Sequence, residues 1–215
     1  MTSRTLAVAR YVAADVLRSQ RWLLPVLAYG AVLGVLYGGD PGPAPGVWPA
    51  TAFALYPLAA WLALVVANAE APEQRPVTAV SAGGYGRVAA GTALVALAGG
   101  LVMAQLPVLV PLVVPRHPYP AALVLTGLVA HLAAAAAGTA VGLVCARPFV
   151  RRIGWSFCLG VAIVTVTAVQ PWLPPVGTAV GAIVDGGPPP VASALLAVVL
   201  AGAAAAAGWA VERRR

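Results

Sequence analysis

Few side chains in this sequence could do chemistry, and the missing types narrow the options first. All 13 basic residues are Arg. Without Lys there is no P-loop of the G-x-x-x-x-G-K-S/T kind, no Schiff-base lysine and no Ser-Lys dyad. If ATP drives this chain, another chain must bind it. Cys145 and Cys158 have no clustered His or further Cys beside them, so they form no metal site and read as small core residues. His131 stands near the middle of a long apolar stretch. It is a candidate substrate contact, a proton-linked group or a neutral strut bonded to a neighbouring helix. No Asp, Glu or Arg shares the apolar stretches to complete a proton relay, which argues against proton-coupled transport. Tyr56, Gln105 and Gln170 join His131 as candidate contacts along a pathway, with Tyr29, Thr126, Thr165 and Thr167 as further polar handles. A wall with so few hydrogen-bonding groups suits an amphipathic or lipid-like cargo better than an ion or a sugar. An intramembrane enzyme would need a buried Ser with His, paired carboxylates or a metal cluster. Here Ser156 lies near the end of its apolar stretch, far in depth from His131, and no G-x-S-x-G occurs.

The elements that must position these residues are membrane helices. Of 215 residues, 61% are hydrophobic and 9% charged, with a mean hydropathy of +0.90. No water-soluble domain of this size carries such a composition. A spanning helix needs about 20 apolar residues, and six runs qualify, at 22–38, 49–69, 88–114, 120–146, 153–172 and 191–211. The expected fold is all-α and polytopic. The Pro/Gly-rich segments 39–46 and 174–190 separate spans and could not be helix interiors. With both termini inside, six spans leave only Arg116 outside and put the other arginines on the cytoplasmic side. The net charge of +7 is therefore a topology signal rather than a nucleic-acid signal.

Three segments outside the spans carry more information. Residues 1–21 are amphipathic: at 100° per residue Arg4, Arg10, Asp15, Arg18 and Arg21 gather within about 140°, with Leu6, Val8, Val12, Ala13, Val16 and Leu17 around the rest. This predicts a helix lying on the inner membrane surface. The cytoplasmic loop 70–87 holds Glu70, Glu73, Arg75 and Arg87. Pro76 suits the first turn of a short helix and Gly83-Gly84 its end, with Val77 and Val80 on one face. The loop is built to present a surface. Residues 176–184, inside the extracytoplasmic segment 173–190, are apolar but too short to span, as expected of a re-entrant or interfacial helix. Trp22, Trp48, Trp155, Trp172 and Trp209 fall near proposed span ends, where aromatic belts anchor.

An amphipathic N-terminal helix, six spans, a loop reading Glu-x-Pro-Glu-Gln-Arg-x-Val-Thr-Ala-x-x-Ala-Gly-Gly from Glu70 to Gly84, and an apolar extracytoplasmic segment before the last span together resemble the ABC-2-type permease subunits. The resemblance implies a membrane subunit of an ATP-binding-cassette exporter in a bacterial cytoplasmic membrane. It implies that the loop after the second span is a coupling helix docked on an ATPase subunit, with Glu70, Glu73, Gln74, Arg75, Val77 and Thr78 as contacts. It implies as partners an ATP-binding subunit dimer, a second permease chain and membrane lipids, with no cofactor on this chain and ATP and magnesium on the ATPase. A non-transporting scaffold or immunity factor of an ABC-like complex is the alternative.

Overall fold

The computed structural model describes residues 3–113 and 117–214. The proposed span end at Val114 and the assignments of Arg116 and Arg215 lie outside the described residues. Every described element is helical: α1 (Ser3–Ser19), α2 (Leu23–Tyr37), α3 (Trp48–Ala67), α4 (Arg75–Ala82), α5 (Tyr85–Val113), α6 (Ala121–Cys145), α7 (Ile153–Ala168), α8 (Val176–Val184) and α9 (Val191–Arg213).

Four helices, α3, α5, α6 and α9, are long and apolar enough to cross a membrane. The bent pair α1 and α2 makes a fifth if counted as one span. At 1.5 Å per residue, α2 and α7 are only about 23 Å long, short of the roughly 30 Å hydrocarbon core. Large apolar side chains cover the outside of the bundle, Val35, Val113, Leu195 and Val199 among them. A surface of this kind marks a membrane protein, since water would penalise so large a continuous apolar face.

The centre is α6. It is 72% buried over its apolar window, whereas α9 is 28% buried. The run Ala133–Ala137 explains this: side chains that end at Cβ let α3, α5 and α9 approach the same axis. The tightest crossing is with α3. A Cβ built on Gly138 would lie 2.3 Å from the Tyr56 carbonyl oxygen, and one on Gly142 would lie 2.3 Å from that of Ala60. The backbones therefore touch where both glycines face α3. Gly30 and Gly34 on α2 have the same four-residue spacing but face open space.

Two ends of the bundle can be told apart by their contacts. At one, His117 Nε2 lies 2.7 Å from Asp40 Oδ1, Thr126 Oγ1 donates to the Gly187 carbonyl at 3.0 Å, and the Trp48 and Tyr119 rings stack 5.5 Å apart. Tyr119 is held above its ordinary pKa by burial and by the Asp40 carboxylate, so its phenol keeps its proton. Helix α8 packs here against α6 and α3, burying Val176, Ala179 and Ile183. At the other end lie α4, the α6–α7 connection and the last turn of α9, with their arginines.

Helix α1 meets α2 at 72° through Gln20, whose φ of 57° is left-handed. Part of the apolar face of α1 is covered by the bundle. Thr5, Val8, Val12 and Val16, one residue per turn, are buried, and α1 packs chiefly on α5. Gly91 of α5 makes room, since a Cβ there would sit 2.7 Å from Val8 Cγ1. Leu6 and Leu17 stay exposed. Cys145 is buried, but Cys158 is exposed on α7 and is not the core residue its sequence context suggests. The reason is that α7 buries little of itself; Ser156 is its single buried residue.

Candidate functional site

Helix α4 forms because Pro76 fits its first turn and Gly83 ends it in the left-handed conformation, at φ 81°. The Gly84 amide returns to the Ala79 carbonyl at 2.7 Å and the Gly83 amide to that of Val80 at 3.0 Å. Arg87, from the first turn of α5, donates through Nη1 to the Ala82 carbonyl at 2.6 Å and so covers the last turn with positive charge.

The six loop residues singled out from the sequence divide into two sets. Glu70, Arg75 and Thr78 turn inward: Thr78 Oγ1 donates to Glu70 Oε1, and Arg75 Nη1 lies 3.9 Å from Glu70 Oε2. Arg75 Nε also donates to Glu212 Oε1 on α9. Arg75 thus stands between two carboxylates whose side chains are only 6% and 8% exposed. Glu73, Gln74 and Val77 face outward; no side-chain hydrogen bond or ion pair holds Glu73 or Gln74 among the described residues, and Val77 borders a recess beside Val8 and Tyr11 of α1. Val77 is 67% exposed and its neighbour Val80 83%. The helix is therefore anchored by three of the residues and offers the other three, with Val80, to whatever lies beyond.

Glu212 and Asn68 are missing from the sequence-level list. The Asn68 amide donates to the Leu64 carbonyl at 2.9 Å, and its Oδ1 accepts from Arg147 Nε at 3.2 Å, tying the end of α3 to the α6–α7 connection. Glu212 had one available signal: it is a lone carboxylate beside Arg213, Arg214 and Arg215. Arg213 itself stacks over the Trp209 ring, 5.8 Å from its centroid. Glu70, Arg75, Arg147, Arg151, Glu212 and Arg213 line a cavity of about 780 Å³ open at this end of the bundle.

The four candidate pathway residues are not brought together. His131 is 0% exposed. Its Nδ1 lies 2.6 Å from the Gly127 carbonyl, which can only accept, so Nδ1 carries the proton. In the neutral ring Nε2 then accepts from the Thr51 hydroxyl at 2.9 Å, and the ring braces α6 on α3. Tyr56 is buried with its hydroxyl 2.8 Å from Thr167 Oγ1, at the edge of an apolar gap between α6, α7 and α9. Gln105 lies on the outside of α5, donating to the Leu101 carbonyl at 3.3 Å, and Gln170 sits just past the end of α7. Because Thr51 can turn its proton to the Trp48 carbonyl, 3.0 Å away, when the ring is gone, His131→Leu should cost only about 1 kcal/mol. Thermal unfolding of the purified variant checks this, and a much larger loss would mean that the ring does more than brace.

No group of three or more His, Cys, Asp or Glu among the described residues is arranged to hold a metal ion. No family model, curated protein or solved structure matches the chain.

Proposed function

We propose that this chain is the membrane subunit of an ATP-binding-cassette exporter, working with a separate ATPase dimer and a second permease chain. The observation that carries the reading is α4, an eight-residue helix with Val77 and Val80 exposed, fastened from behind by Glu70, Arg75 and Thr78. Two valines exposed on a polar loop leave an apolar patch that a partner's groove would cover. Fastening matters, because a push on α4 then passes through Arg75 to α9 and through Arg87 to α5.

In this reading the chain crosses a bacterial cytoplasmic membrane six times with both termini inside, α2 and α7 being the two short spans. The separation of the Asp40–His117 end from the arginine-rich end supports that topology. The chain performs no reaction of its own. Its few buried polar groups favour a hydrophobic or amphipathic compound, peptide or lipid as cargo.

Val77→Asp with Val80→Asp tests the proposal, since both side chains are exposed and their replacement should leave the fold intact. Co-expression with a candidate ATPase should show co-purification and stimulated hydrolysis lost by about tenfold or more, with unfolding temperature unchanged. Unaltered association would sink the docking role of α4. Substrate-dependent stimulation of hydrolysis in vesicles separates an exporter from a non-transporting scaffold.

A further inference from the structure

The charged cavity at the arginine-rich end has an apolar neighbour. Its walls include Ala67 at the end of α3, Arg147 just after α6 and Arg151 just before α7. About one turn further into the bundle the same three segments enclose a second cavity of about 210 Å³, between Leu64 on α3, Cys145 on α6 and Ser156 on α7. That cleft is apolar and runs on past Trp61, Phe157 and Gly160. A charged chamber and a narrow apolar slot thus lie near each other along α3, α6 and α7, and a ligand filling both has an ionic head and a hydrocarbon tail.

The charges decide the sign of the head. Four Arg and two Glu line the chamber, and both carboxylates already face Arg75. Among the described residues, Arg151 has no side-chain hydrogen bond or ion pair, and Arg147 bonds through Nε to Asn68. Their remaining donors suit the oxygens of a phosphate. Trp155 on α7 and Trp209 on α9 are exposed near this end, at the level where aromatic side chains meet lipid headgroups. We infer that the two cavities form one site for an anionic glycerophospholipid, its phosphate between Arg147 and Arg151 and one acyl chain in the slot between α3, α6 and α7. Basic recesses between membrane helices hold anionic headgroups in this way. The site needs no ATPase, so its test stands apart from that of the docking helix.

The full chain, purified in detergent, would be titrated with phosphatidylglycerol, with phosphatidylcholine and with inorganic phosphate, and followed by native mass spectrometry and thermal unfolding. Phosphatidylglycerol should bind about tenfold more tightly than phosphatidylcholine and raise the unfolding temperature; millimolar phosphate alone should not reproduce that rise. Arg151→Gln removes an exposed cation with no ion pair among the described residues and should erase the preference between the two lipids without changing unfolding in lipid-free detergent. Gly160→Leu fills the slot, where an added Cβ meets nothing closer than Cys145 Sγ at 3.8 Å. It should weaken both lipids about tenfold while the protein stays folded. Equal binding of the two lipids by the unaltered chain, an unchanged preference in Arg151→Gln, or full-strength lipid binding by Gly160→Leu would each overturn the inference. A thermal rise with phosphate equal to that with lipid would overturn the lipid and leave a plain phosphate site.

Discussion

Gly142→Leu is expected to unseat α3 from α6, and Gly138→Leu to do the same one turn away. Each new Cβ would lie 2.3 Å from a backbone oxygen of α3, with Ala59 or Ala63 Cβ within 2.9 Å as well. Backbone cannot turn aside as a flexible side chain can, so the helices must separate along their crossing. Forcing atoms into a packed interior costs about 1–3 kcal/mol, and here the upper part of that range applies to each site. The Thr51–His131 contact, which crosses the same interface, would stretch with it. The matching control is Gly30→Ala with Gly34→Ala on α2, where an added Cβ meets nothing. Alanine in an exposed helix interior should stabilise by about 0.5–1 kcal/mol per site. Unfolding in detergent and the fraction of monodisperse protein measure both pairs. If the two pairs respond alike, the contact between α3 and α6 is not the tight one described.

The second large effect is expected at Arg75. Its replacement by Ala would leave Glu70 and Glu212 facing each other, both nearly buried, with no cation between them. Removing one member of a buried ion pair costs roughly 3–5 kcal/mol, because the charge left behind is not solvated. The lower end is expected here, since Arg75 is 16% exposed and the neighbouring cavity can admit water. A double-mutant cycle separates this from a simple loss of packing. Arg75→Ala combined with Glu212→Ala should cost less than the two single changes together, by more than about 1 kcal/mol, as expected of side chains in direct contact. Additive losses would mean that the pair contributes nothing of its own.

Much of the helix layout can be read from the chain, because Pro/Gly clusters such as 39–46, 174–175 and 186–190 interrupt apolar runs that admit only helices in a membrane, although the stretch between the last two clusters is itself the helix α8. Helix α4 is readable for a local reason: Pro76 and Gly83 mark its ends whatever surrounds it. What faces what is harder. Lipid and protein interior are equally apolar, so the pattern that marks the buried face of a soluble helix disappears. Gly30/Gly34 and Gly138/Gly142 carry the same spacing, yet only the second pair meets a neighbour. Cys145 and Cys158 both sit near helix ends and differ in burial for the same reason. In the loop the residue types are informative but their directions are not. Glu70, Arg75 and Thr78 differ from Glu73, Gln74 and Val77 by which side of the loop and α4 faces the bundle, a fact of tertiary packing. Glu212 escapes notice because its partner is 137 residues away.

That separation also sets an order in time. Chains grow at about 5–20 residues per second, so residue 212 is made on the order of ten seconds after residue 75. Throughout that interval Arg75 has Glu70 alone for a carboxylate partner, at 3.9 Å. The α1 face of Thr5, Val8, Val12 and Val16 waits as well, until α5 supplies the surface at Gly91 that it packs against. Each closure joins a residue to one made later, at the arginine-rich end. A copy halted before residue 212 therefore differs chemically from one that carries it, because Arg75 lacks the Glu212 carboxylate that it otherwise bonds.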